Sequence, residues 1–345
     1  MGQQLEILRG ISVAEFGDDF AGAVCAYHLH LLGAEVSLYE PPEGCELRRL
    51  AARRPTSGLF AYAGRGRISR PLDAFLAAPP APLPDIVIEP AFSAPAVAAA
   101  IEARRDVSPG SILLSFREAD ATRLTELTAQ AEGGITAYLG REAEPPVRVG
   151  MEIMSYSAAT LAVQAVLAAL RVRNTTGRGQ SLRVPLSRVS SSILSNVTAA
   201  SVEPDQPAHF SRGWSHPPAR GFAAAGGSIE ILFYGPASER GWPGFCHAIG
   251  AADIAADPRF DSYAKRLDHG QELAAVLAPY TQSIPRDELI ALVRRHDGMA
   301  MPKHSVMEAA AWEQSRANAM MTAQGLPAAP WELGGQRAQA SGVSP

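Results

Sequence analysis

The chain has 345 residues, of which 47% are hydrophobic and 19% charged, and its formal net charge is −4. That is enough apolar material for one large domain or two ordinary ones, and a charge balance without a basic face argues against a nucleic-acid partner. The start MGQQLEILRG lacks the basic and apolar segments of a signal peptide. The longest apolar segment, 158–170, is interrupted by Thr160 and Gln164 and is short for a bilayer span, so no membrane partner is expected. Cys25, Cys45 and Cys246 form no CxxC pair and read as free thiols in a reducing cytoplasm. The eight histidines are scattered without an HxxxH or HExxH spacing, and no metal is expected.

In chain order, ISVAEF (11–16) predicts a strand and 16–33 a helix, capped by Asp18 or Asp19 and ended by Gly33; EVSLYEPP (35–42) predicts a second strand. Strand, helix and strand with tight joints form a βαβ unit, which calls for a parallel sheet. The basic segment 48–72 reads as loop with one short strand, and 71–84 as a short helix running into a proline-rich turn. DIVIEPAF (85–92) is a buried strand, 93–105 a helix, SILLSF (111–116) a strand and 122–132 a helix. This alternation predicts a doubly wound, Rossmann-like sheet. A long helix over 157–173 is closed by NTTGRGQ, SLRVPLSR (181–188) alternates as a strand, and 189–202 is helical. GFAAAGGSIEILFYG (221–235) has the pattern of a hairpin. The sequence from 236 to 320 is helical, and the tail from Gly325 reads as a loose arm. The boundaries expected are a large domain over 1–205, a small domain over 206–320, and a C-terminal arm over 321–345 that returns to the large domain or is disordered.

Several familiar motifs are missing. Gly17 and Gly22 follow the first strand and Glu40 ends the second, but the glycine spacing is not that of a dinucleotide fingerprint. TGRGQ (176–180) follows a helix rather than preceding one, so it reads as a C-cap turn and not as a phosphate cradle. No GxSxG surrounds Ser155 or Ser157, and no histidine is near them in sequence. The stretch GMEIMSYSAAT (150–160) is nonetheless dense in polar groups at the mouth of an apolar helix.

Several segments together resemble the family III CoA-transferases, the CaiB/BaiF family. LRGISVAEF with AGAVCAYHLHLLGAEVSLYEPPEG (8–44) is similar to that family's opening strand, helix and strand. DIVIEPAF, PPVRVG (145–150), LAALRVRNTTGRGQSLRVPL (167–186) and AADIAADPRFDSYAKRLDHGQEL (251–273) follow in the family's order. The resemblance implies a Rossmann-like large domain with a smaller domain, and two chains interlocked as a dimer. It implies coenzyme A or acyl-CoA thioesters as substrate, and either CoA transfer through an aspartyl anhydride or acyl-CoA isomerisation by proton transfer. Both chemistries need a carboxylate.

The family's catalytic Asp falls on Ser155, or on Met154 with a one-residue shift, and Glu152 is the nearest carboxylate. Ser155 and Glu152 are therefore the candidate catalytic residues, with Arg148 as a partner for Glu152; the alternative for Glu152 is a charge that caps the helix. The family's first-helix Gln falls on Tyr27, its strand-two cation on Leu38, and its Asn on Pro90. Arg65 and Arg67 preserve part of a basic turn, so Tyr27, Arg65, Arg67 and Phe92 are the candidate CoA contacts. Three readings stay open: an active acyl-CoA enzyme with displaced chemistry, a non-catalytic subunit paired with an Asp-bearing paralogue, and a fold repurposed for a non-CoA ligand. The dimer is correspondingly a homodimer or a heterodimer.

Overall fold

The computed structural model describes residues 6–17, 19–53, 58–90, 94–120, 124–139, 145–195 and 221–337. The chain divides into two compact units, one formed by 1–140, 145–205 and 316–345, the other by 141–144 and 206–315.

The first unit is built on six parallel strands: β1 (Ser12–Glu15), β2 (Glu35–Glu40), β3 (Arg67–Pro71), β4 (Ile86–Ile88), β5 (Ile112–Ser115) and β6 (Ser181–Arg183), in the order β3-β2-β1-β4-β5-β6. β1 and β4 are the central strands and are largely buried, and β4 is the continuous apolar run that a covered parallel sheet favours. The strand order reverses between β1 and β4, where the crevice of a doubly wound sheet opens at the carboxyl ends of the strands. The helices of this unit are α1 (Phe20–Leu31), α2 (Glu46–Arg53), α3 (Leu59–Ala63), α4 (Leu72–Ala77), α5 (Pro95–Glu102), α6 (Glu126–Glu132), α7 (Ile135–Tyr138), α8 (Ile153–Thr176) and α9 (Leu186–Ile193).

α1 is buried almost throughout, and α8 packs along it. α8 runs for 24 residues and by length and composition could cross a membrane, which corrects the short apolar segment read from 158–170. Met154, Ala158, Ala162, Val166 and Ala169 spend its apolar face on the core. It ends at Gly177, whose φ of 70° allows the left-handed cap that the TGRGQ turn predicts.

Three local readings are corrected. The stretch 48–72 contains two helices, α2 and α3, besides β3; α2 buries only Leu47, so its apolar signal is faint. The strand at 181–188 stops at Arg183, and α9 begins after Pro185, because proline cannot donate to a ladder but suits a helix start. The tail is not loose over its described length: Trp331 packs against the first core, and residues 332–337 form a two-stranded hairpin.

The second unit has an antiparallel sheet of β7 (Phe222–Ala224), β8 (Gly227–Leu232) and β9 (Met299–Pro302), with helices α10 (Pro236–Ala248), α11 (Ala252–Ala255), α12 (Tyr263–Asp268), α13 (Gly270–Thr281) and α14 (Arg286–Arg295). Trp242, Phe245, Phe260, Leu277 and Val293 form its core. β9 interrupts the all-helical reading of 236–320. Only Ala300 of this edge strand is buried, so its pattern is weak.

Candidate functional site

β1 ends on Glu15, and Gly17 turns the chain with φ 69°. A Cβ at Gly17 would lie 2.3 Å from the Cys45 Cβ, so only glycine fits this turn. The turn delivers Asp19, whose carboxylate accepts from the Gly22 amide at 2.6 Å and caps α1. The N-terminal end of α8 lies in the same region. A cavity of about 280 Å³ is lined by Asp19, Phe20, Leu124, Glu126, Glu152 and Ser155, with Phe116 and Arg117 beyond the end of β5. It therefore occupies the carboxyl-end crevice that this sheet topology favours for ligands.

Glu126, in the first turn of α6, holds the start of α8. One carboxylate oxygen accepts from the Met154 amide at 2.9 Å and from Gln130 Nε2 at 2.7 Å. The other accepts from the Ser155 amide at 2.9 Å and from Ser155 Oγ at 2.7 Å. Two free amides of a helix N-terminus and the positive end of its dipole thus meet an anion. Ser155 is buried, with its hydroxyl hydrogen committed to Glu126.

Glu152 occupies the N-cap position of α8, yet its side chain makes no cap hydrogen bond. The capping role read for Glu152 is corrected: Glu126 performs it. Burial pushes the Glu152 carboxyl above the usual range and the nearby Glu126 charge adds to this, with Arg148 opposing. The two carboxylates therefore differ, one saturated by donors and the other desolvated and unclamped. Arg117 donates to the Pro90 carbonyl at 2.8 Å, while its buried Nε has no hydrogen-bond partner among the described residues.

The candidate CoA contacts are arranged otherwise. Arg67 is buried, pairs with Glu15 at 2.7 Å, and donates to the Ala23 and Ala63 carbonyls. Arg65 is buried as well; it donates to the Tyr62 carbonyl at 3.1 Å and the Pro327 carbonyl at 2.9 Å, and so ties down the C-terminal segment. Tyr27 lies in the core with the Arg65 guanidinium 4.6 Å above its ring, and presents no surface to a ligand. Phe92 falls outside the described residues. Glu40, at the end of β2, is held by Arg48, Ser69 and the Cys45 amide. The structure thus brings Ser155 and Glu152 to one cavity and leaves Tyr27, Arg65 and Arg67 in the packed interior.

Sequence reading missed Glu126. It lies 29 residues before Ser155, and an acid in a first helical turn ordinarily serves its own helix dipole. Only the fold brings it to α8. Among the described residues no group of three His, Cys, Asp or Glu could hold a metal ion.

A family model described as CoA-transferase family III matches residues 120–344. An acyl-CoA transferase from Fusarium pseudograminearum is 31% identical over 168 residues, covering 48% of this chain and 36% of that protein. A succinyl-CoA:mesaconate CoA-transferase from Haloarcula hispanica is 27% identical over 317 residues, covering 83% of this chain and 78% of its own length. A CaiB/BaiF family protein from Brucella suis shares the fold with a TM-score of 0.80 at 23% identity, covering 99% of this chain and 96% of that one.

Proposed function

The chain belongs to CoA-transferase family III, and from that premise we propose that it acts on acyl-CoA thioesters, with the acyl group seated in the cavity at the start of α8. The observation that carries this reading is the cavity itself. It opens at the carboxyl ends of β1 and β5, and it gathers Ser155, Glu126 and Glu152 around the position where the resemblance puts the family's carboxylate.

Its apolar walls, among them Phe20, Leu47, Leu124 and Leu186, suit an acyl chain. With serine at 155, no carboxylate at that position can form the anhydride. The proton-handling groups are Glu126 and Glu152. Burial raises the Glu152 carboxyl above the usual carboxylate range, which suits it better than an exposed carboxylate to hold and give a proton. A purely structural subunit would have no need of a nucleophile-bearing cavity, and this favours the catalytic reading over the non-catalytic one.

Titration calorimetry with CoA, acetyl-CoA and succinyl-CoA tests the proposal. Acyl-CoA binding that weakens at least tenfold when Leu124→Trp fills the cavity is the expected result. No heat at millimolar ligand, or binding unchanged in Leu124→Trp, would overturn it.

A further inference from the structure

Resting on that reading, we infer that Ser155 is an acyl acceptor activated by Glu126, and that the site hydrolyses a thioester through an acyl-serine instead of passing CoA between acids.

A serine hydroxyl is a weak nucleophile until a base takes its proton, and that base must itself be held in place. Ser155 Oγ lies 2.7 Å from Glu126 Oε2, a hydrogen-bonding distance at which the proton can transfer. Gln130 and the Met154 and Ser155 amides fix the Glu126 carboxylate in that orientation. Both groups line the cavity, so nucleophile and base face the same space.

The two possible nucleophiles are not equivalent. The Glu126 oxygens accept four hydrogen bonds, which leaves them little capacity to attack a carbonyl. Ser155 Oγ gives its single hydrogen to Glu126 and keeps its lone pairs for an electrophile. A carboxylate is a modest base for a serine, but the leaving group compensates. A thiol has a pKa near 8.5, so its thiolate leaves far more readily than an alkoxide and the tetrahedral intermediate collapses forward.

In the acylation step, Ser155 Oγ bonds to the thioester carbonyl carbon and the carbon–sulfur bond breaks. The hydroxyl proton passes to Glu126. The departing sulfur carries the electron pair and is protonated to free CoA, with Glu152, a further carboxyl lining the cavity beside Ser155, as donor. In deacylation, water attacks the ester carbonyl and gives a proton to the now ionised Glu152. The carbon–oxygen bond breaks, and Glu126 returns its proton to Ser155 Oγ. The sum is acyl-CoA plus water to carboxylic acid plus CoA, with no other reactant.

The experiment mixes the full-length protein with acetyl-CoA or succinyl-CoA in the absence of any acid acceptor. Thiol release is followed, and acid-quenched samples are analysed by intact mass and peptide mapping. The expected result is a mass gain of one acyl group on the peptide containing Ser155. Thiol release should fall about 100-fold or more in Ser155→Ala, and about 100-fold in Glu126→Gln. Ser155→Asp should abolish the acyl adduct and carry CoA as a borohydride-sensitive thioester instead. A CoA-mass adduct on Glu126 or Glu152 of the unmutated protein, an acyl group only on Cys25, Cys45 or Cys246, or thiol release unchanged in Ser155→Ala would each overturn the inference. Calorimetry on the same samples separates the two claims. Acyl-CoA that binds without acylating Ser155 refutes the acyl-serine alone, and acyl-CoA that does not bind refutes the wider reading as well.

Discussion

Replacing Glu126 with alanine removes the group that joins α6 to the start of α8, and its effect on stability can be worked from the hydrogen bonds. The change strips an acceptor from the Met154 amide, the Ser155 amide and the Ser155 hydroxyl at once. Loss of a helix cap costs about 0.5–2 kcal/mol, and loss of an anion at a partly buried N-terminus costs up to about 2 kcal/mol more. Because the site borders a cavity, water can satisfy some of the released donors, which keeps the unpaired-donor penalty near the low end of its range. The expected loss is about 2–4 kcal/mol, or about 5–10 °C in the melting midpoint of a unit of this size. Glu126→Gln keeps one carbonyl acceptor and should lose about 1–2 kcal/mol. Denaturant unfolding gives the totals, and hydrogen exchange at the Met154 and Ser155 amides localises them. A loss below about 0.5 kcal/mol in Glu126→Ala, with both amides still protected, would refute the reasoning.

Other outcomes follow from the same packing. His28 is buried with its ring edge-on to Tyr156 and Trp331, and burial pushes its pKa down to about 4. The folded state therefore favours neutral His28, whereas the unfolded chain takes up a proton below pH 6.5. The stability contributed is whole above pH 6.5 and is lost as the pH falls toward 4, by about 3 kcal/mol. His28→Phe should flatten the denaturant midpoint across that range, and an identical pH slope in the variant would contradict the assignment. Arg67→Met leaves the Glu15 carboxylate buried without its partner and should cost about 3–5 kcal/mol. Glu15→Gln made together with Arg67→Met should recover part of that loss in chemical unfolding. A single-variant loss below about 1 kcal/mol would mean the pair is not buried as described. Trp331→Ala should release the 332–337 hairpin to limited proteolysis, and equal protection in both proteins would argue against that packing.

The sheet was legible because its strands are fully covered. IVI at 86–88 and ILL at 112–114 are β-branched and apolar runs of the kind a two-sided parallel sheet favours, and Gly33, Gly177 and the prolines mark where elements stop. Among the elements that escaped, α2 and β9 bury one residue each and α3 is only five residues long, so they carry almost no periodic signal. The site was legible in part for a similar reason. Ser155 and Glu152 stand in one short segment, and the resemblance points to that segment. Glu126 reaches it from another helix, which local sequence does not encode. The packing of Arg65 and Arg67 was not legible, because a basic, glycine-containing turn reads the same whether it meets a phosphate or the chain's own carbonyls and Glu15.

The central claim is that an acyl thioester lies at the start of α8. The most direct test is a crystal structure with a non-hydrolysable acyl-CoA analogue whose sulfur is replaced by a methylene. The account predicts the carbonyl carbon within about 3.5 Å of Ser155 Oγ, with the acyl chain inside the cavity lined by Phe20, Leu124 and Leu186. An analogue bound elsewhere with that cavity empty would contradict it.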